Sequence, residues 1–188
     1  MDIREFIALT LLAADGEVQG KTKLQKLTYF MGVLTDKLDE LGYRAHFYGP
    51  YSDDVAYAVG QLRSIGVLDQ NETEWGYDQR GFEIKRSDYR LNEAGKKYAD
   101  KVKSRYRDEW QKINAAITQY KRSGDLDYMA LSIAAKTYFM LGQSKGKARS
   151  MKDLANLAPR FGWKVEPEQI KEAAEYLEKL GLVEVTNG

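Results

Sequence analysis

Cysteine is absent, histidine occurs once and proline three times in a chain of 188 residues. Without cysteine there is no disulfide, no thiolate nucleophile and no cysteine-built zinc site. His46 alone cannot build a metal centre, and its carboxylate neighbours show no ligand spacing. It also lacks a serine or cysteine partner motif, so it reads as a packed or edge-strand histidine. No apolar run approaches the ~20 residues that a membrane span requires. The opening Met-Asp-Ile-Arg-Glu-Phe has acids where a signal peptide needs basic residues, and the expectation is a soluble cytoplasmic protein with no membrane contact.

What is present is ordinary for a folded chain: 43% hydrophobic and 30% charged residues, with a net charge of +1. The length suits one large domain or two small ones, burying ~70% of the unfolded surface. The near-neutral total conceals polarised windows. Residues 80–107 hold ten basic groups against four acidic, 136–164 seven against one, and 165–188 two against six. A nucleic-acid binder needs a concentrated basic face, so the elements these windows occupy matter.

Ile3, Phe6, Ile7 and Leu11 recur at helical spacing, with Asp15-Gly16 as the stop. A second helix starts at Thr22, where Thr22 and Gln25 match a capping box, and Leu24, Leu27, Met31, Leu34 and Leu38 form one apolar stripe. Residues 44–48 read as a short strand broken by Gly49-Pro50. Ser52 is the N-cap of a third helix with Asp53 and Asp54 in its first turn. Val55, Ala58, Val59, Leu62 and Ile65 are its buried face, and Gly66 its stop. A hairpin follows, from Val67-Leu68, through turn signals at Trp75 to Arg80, to Phe82, Ile84 and Leu91. This order predicts a winged helix-turn-helix over residues 1–91.

Residues 92–122 predict one long helix. Tyr98, Val102, Tyr106, Trp110, Ile113, Ile117 and Tyr120 give it a continuous apolar, largely aromatic stripe, suited either to packing within the chain or to a homodimer. Lys121-Arg122-Ser123-Gly124 is the expected boundary. Residues 125–188 predict a second, mostly helical, winged-helix-like unit. It contains Met129, Ile133 and Leu141 on a helix ending at Gly142, a capping box at Ser150 and Asp153, and a first-turn Pro167. A shift of 115 residues aligns Val55, Ala58, Val59, Leu62, Ile65 and Gly66 with Ile170, Ala173, Ala174, Leu177, Leu180 and Gly181. The expected fold class is therefore mainly α with small β-hairpin wings (α+β), two winged helix-turn-helix units joined by a long helix.

The most distinctive stretch is Lys21-Thr22-Lys23-Leu24-Gln25-Lys26-Leu27-Thr28-Tyr29-Phe30, followed downstream by His46-Phe47-Tyr48-Gly49-Pro50-Tyr51-Ser52. In these two motifs, and over roughly residues 3–68, the chain resembles the YwgA-like proteins and the related Panacea domain of SocA-type antitoxins. The resemblance implies a small winged-helix-like domain tied to regulation, toxin–antitoxin or defence contexts, with no known catalytic centre. After the Gly-Pro turn the sequence departs from the Panacea pattern. On their own spacing, Lys23 and Lys26 fall off the Leu24, Leu27, Met31 stripe and face solvent or a partner; Tyr48 and Tyr51 flank a rigid turn. These four residues are the candidate partner surface.

No catalytic constellation emerges. Gly142 to Arg149 imitates a phosphate loop, but only three residues separate its glycines, alanine follows Lys147, and a helix precedes it. Asp125, Asp127 and Asp153 sit at helix starts, where capping accounts for them. The expectation is a non-enzymatic regulator without cofactor or metal, its partner either duplex DNA or a protein; the alternative is an interaction module such as an antitoxin or adaptor. Both nominal recognition helices are acidic at their starts, so neither is expected to read the major groove. Contacts to DNA are expected instead from Lys85, Arg86 and Arg90 on the hairpin and Lys145, Lys147 and Arg149 in the C-terminal unit, mostly to phosphates.

Overall fold

The computed structural model describes residues 1–77, 83–143 and 149–185, leaving aside the side chains of Trp75, Tyr77, Glu83, Ile84 and Lys85. The first helix, α1 (Ile3–Ala13), starts at a capping box in which Asp2 and Glu5 serve each other's backbone N–H. Asp15 and Gly16 both take positive φ and turn the chain into β1 (Glu17–Gln19). α2 spans Lys21–Leu34 and α3 Asp53–Ser64, the latter capped by Ser52 as expected. β2 (Leu68–Tyr77) and β3 (Glu83–Leu91) form the hairpin. The sheet is antiparallel with strand order β1-β3-β2, and Val18 lies opposite Tyr89. β1 is missing from the sequence reading because three residues carry no alternation. The expected strand at 44–48 reduces to a single bridge between Arg44 and Tyr51, which brackets a tight turn. Of the expected hairpin turn, residues 78–82 lie outside the described residues.

The expected long helix is two: α4 (Glu93–Arg105) and α5 (Arg107–Arg122). Tyr106, at φ −120° and ψ 63°, ends one and starts the other. Each half carries its own dipole complement, Lys103 and Arg105 in the last turn of α4, Asp108 and Glu109 in the first turn of α5. The stripe itself is largely spent inside the chain. Val102, Ile113, Ile117 and Tyr120 are buried, and Tyr98, Tyr106 and Trp110 are packed against the same core.

α6 (Tyr128–Gly142), α7 (Met151–Leu157) and α8 (Pro167–Lys179) complete the chain, with the Ser150–Asp153 capping box and the first-turn Pro167 in place. α8 aligns with α3 under the 115-residue shift, although Ile65, read as buried, is 57% exposed whereas its counterpart Leu180 is buried. The division into separate units does not extend to the core. One apolar cluster runs from Phe6 through Phe30, Leu62 and Ile113 to Ala135, Leu177 and Leu180. A smaller one gathers Met140, Leu154, Ala158, Trp163, Val165 and Ile170. No helix among the described residues is long and apolar enough to cross a membrane.

Candidate functional site

The two distinctive motifs meet in space. Gln25 and Ser52 exchange a pair of buried hydrogen bonds: the Gln25 amide donates to the Ser52 carbonyl at 2.9 Å, and the Ser52 N–H donates to Gln25 Oε1 at 3.1 Å. At the next residue, Lys26 Nζ donates to the Pro50 carbonyl at 2.6 Å. Gln25 is therefore not a capping partner for Thr22; α2 starts at Lys21, behind a Gly20 N-cap with no side-chain hydrogen bond. Lys26, expected on a partner surface, is 1% exposed. Burial, aided by the neighbouring Lys136, pulls its pKa down to about 7. Gln25→Met should remove partners from two buried main-chain groups and cost ~2 kcal/mol, read as a lower urea midpoint at unchanged m-value.

Behind this corner, Gly49 packs on α6 and the Trp163 indole N–H donates to the His46 carbonyl at 2.7 Å. In front of it, the side chains are open. His46 is exposed rather than packed and lies over the Tyr51 ring, with centroids 5.0 Å apart. Phe47 and Tyr48 are 80% and 58% exposed, and Tyr51 is half-buried beneath Lys21. Lys23 is half-buried and pairs with Asp125 at 2.8 Å, away from this corner. Of the four expected partner residues, Tyr48 and Tyr51 share the corner, Lys23 lies elsewhere, and Lys26 is inside.

A second surface lies between α3 and the sheet. Alternation along β3 directs Ser87, Tyr89 and Leu91 toward the helices, and Arg86, Asp88 and Arg90 to the opposite face. Arg86 is held by Asp88 at 2.8 Å, and exposed Arg90 stands opposite Asp69 in the register. The groove on the helix side, about 290 Å³, is lined by the first turn of α2 with Lys21, by Ala56, Gly60 and Arg63 of α3, and by Gln70, Ser87 and Tyr89 of the sheet. Arg63, which is not among the contacts expected from the sequence, lies here. Of the remaining expected contacts, Arg149 is exposed. Lys145, Lys147 and the Lys85 side chain lie outside the described residues, as does the basic turn at 144–148. No group of three or more His, Asp or Glu that could hold a metal occurs among the described residues.

Over 100 residues the chain is 32% identical to the uncharacterized protein YwgA of Bacillus subtilis (strain 168). The match takes in 52% of this chain and 55% of that protein, so the chain spans about half the length of the curated relative it matches. A YwgA-like relationship is what this similarity supports. No family model matches the chain.

Proposed function

We propose that the protein is a non-enzymatic regulator of winged-helix type that contacts duplex DNA mainly through its phosphates. The observation that carries this reading is topological. The order α1-β1-α2-α3-β2-β3, with β1 paired to β3 and β3 to β2, leaves α3 on the surface beside a projecting hairpin. That is the arrangement in which such folds present a helix and a wing to a duplex. The exposed residues of α3 and its end are Asp53, Asp54, Tyr57, Arg63, Ser64 and Ile65, with one basic group against two acids, so sequence reading in the major groove is not its strength. Arg86 and Arg90 on the outer sheet face suit backbone contact instead.

Fluorescence anisotropy with random-sequence duplexes at several salt concentrations tests this. Binding should tighten as salt falls, with similar affinity for unrelated sequences, and each neutralised phosphate adds ~0.9 to the salt slope. Absence of binding at low salt overturns the reading. The exposed Phe47, Tyr48 and Tyr57 favour a second one, a protein-binding module of the antitoxin kind that the Panacea resemblance implies. Recovery of one stoichiometric protein partner from the native host, resistant to nuclease, would select it.

A further inference from the structure

We infer that the groove between α3 and the sheet is a binding site for a phosphate group, held by Lys21 and Arg63. The inference rests on the DNA-binding reading for its natural ligand, the backbone of a duplex.

Three observations converge. First, the groove is a space that α3 leaves open. Ala56, Gly60 and Arg63 fall at i, i+4 and i+7 on one face of the helix, and a Cβ built on Gly60 would meet nothing within 4 Å. Small side chains make the trench, and the long one stands at its end.

Second, its charge is of one sign. Lys21 and Arg63 are the only charged side chains lining it, and neither has an acidic partner among the described residues. Lys21 lies over the Tyr51 ring at 5.6 Å, an arrangement that steadies the ammonium without neutralising it. The nearest sheet carboxylate, Asp88, points to the other face, where it accepts from the Gly20 N–H at 3.1 Å and pairs with Arg86. Other cations of the described surface do have carboxylate partners: Lys37 with Glu40, Lys96 with Glu93, Lys121 with Asp15.

Third, the first turn of α2 lines the same groove. Gly20 supplies no side-chain cap and the turn contains no acid, in contrast to α1, α3, α4 and α6, whose starts are served by Asp2, Ser52, Asn92 and Asp127. The Gly20 N–H itself is taken by Asp88, so what the first turn of α2 brings to the trench is Lys21, which faces Arg63 of α3 across one polar groove. Gln70, donating to Ser87 Oγ at 3.0 Å, and the Tyr89 phenol supply its neutral polar wall. A tetrahedral oxyanion fits the space, the two cations and the polar wall, whereas a cationic ligand is repelled by the charge and an apolar one leaves the cations unmatched.

The test compares wild type, Lys21→Gln/Arg63→Gln, and Lys171→Gln/Lys179→Gln, which removes two charges from α8 instead. All substituted side chains are exposed, and circular dichroism confirms folding. With random duplexes, loss of two phosphate contacts should flatten the salt slope by ~1.8 in the groove variant and leave it unchanged in the α8 variant. If wild type binds duplex and the groove variant binds with the same slope, the groove assignment is wrong while the DNA reading stands. In a second arm, millimolar pyrophosphate should raise the melting temperature of wild type and not of the groove variant. Should wild type bind no duplex yet show that pyrophosphate shift, the DNA reading fails and the groove takes a small phosphate ligand. If wild type shows neither response, the assignment is overturned.

Discussion

Gly95→Ala is expected to destabilise the protein by ~4 kcal/mol or more, the largest effect of a methyl added at any of the described glycines. Gly95 lies in the first turn of α4, with its N–H accepted by the Asn92 cap at 2.9 Å. A Cβ there would stand 2.0 Å from the Val67 carbonyl oxygen and 3.0 Å from its carbon, a collision with backbone that no rotamer change relieves. The approach is that close because Asn92 also donates to the Gly66 carbonyl and to Asp69, fastening α4 onto the link between α3 and β2. For a chain of this size, ~4 kcal/mol corresponds to a fall in melting temperature of ~10 °C. Gly60→Ala is the matched control. It is a helical glycine with open space around it, so alanine should raise stability by ~0.5–1 kcal/mol. Thermal unfolding followed by circular dichroism reads both, and a Gly95→Ala melt within ~2 °C of wild type would refute the packing.

The second large effect is a rise of stability with pH. Lys26 releases its proton near pH 7 in the folded protein, whereas the unfolded chain holds it up to the ordinary 10.5. Between those values the unfolded state binds more protons, so the folded state gains as pH rises; below about 7 both states are protonated and the burial penalty is present in full. Lys136, itself half-buried with a lowered pKa, shifts in the same direction. From pH 7 to 9.5 the Lys26 site alone corresponds to ~3 kcal/mol. Above that range Tyr29, Tyr43, Tyr120 and Tyr176 work the other way, since burial raises their pKa values and the unfolded chain ionises first. Urea midpoints measured at pH 7 and 9.5 should rise for wild type and much less for Lys26→Met. Parallel behaviour of the two proteins would show that the amine is not desolvated.

Most helices were legible because their signals are local. The caps at Ser52 and Ser150, the first-turn Pro167 and the stripes of α3 and α8 all act within a few residues of the element they define. The failures share one cause, namely partners distant in sequence. Gln25 has capping-box spacing from Thr22 but spends its amide 27 residues away on Ser52. Lys26 falls off the apolar stripe, yet the 46–51 corner folds over that side of α2 and takes its ammonium inside. The α4–α5 break stayed hidden because both halves pack on the same core and keep the stripe in phase through Tyr106. The change from basic Lys103 and Arg105 to acidic Asp108 and Glu109 was the available signal. The groove was unreadable in advance, since Lys21, Arg63 and Tyr89 come from three elements whose juxtaposition depends on β1, a strand too short to carry a pattern.

The strand order β1-β3-β2 has a further consequence, for self-association through the backbone. It places β2, ten residues long, on the rim of the sheet, where its outward N–H and C=O groups offer a template to any other extended chain. Asp69, Glu72 and Glu74 are exposed along that strand, and two copies brought edge to edge would confront carboxylate with carboxylate. The acids along β2 thus guard the protein against sheet extension, and neutralising them should convert that rim into a site of aggregation.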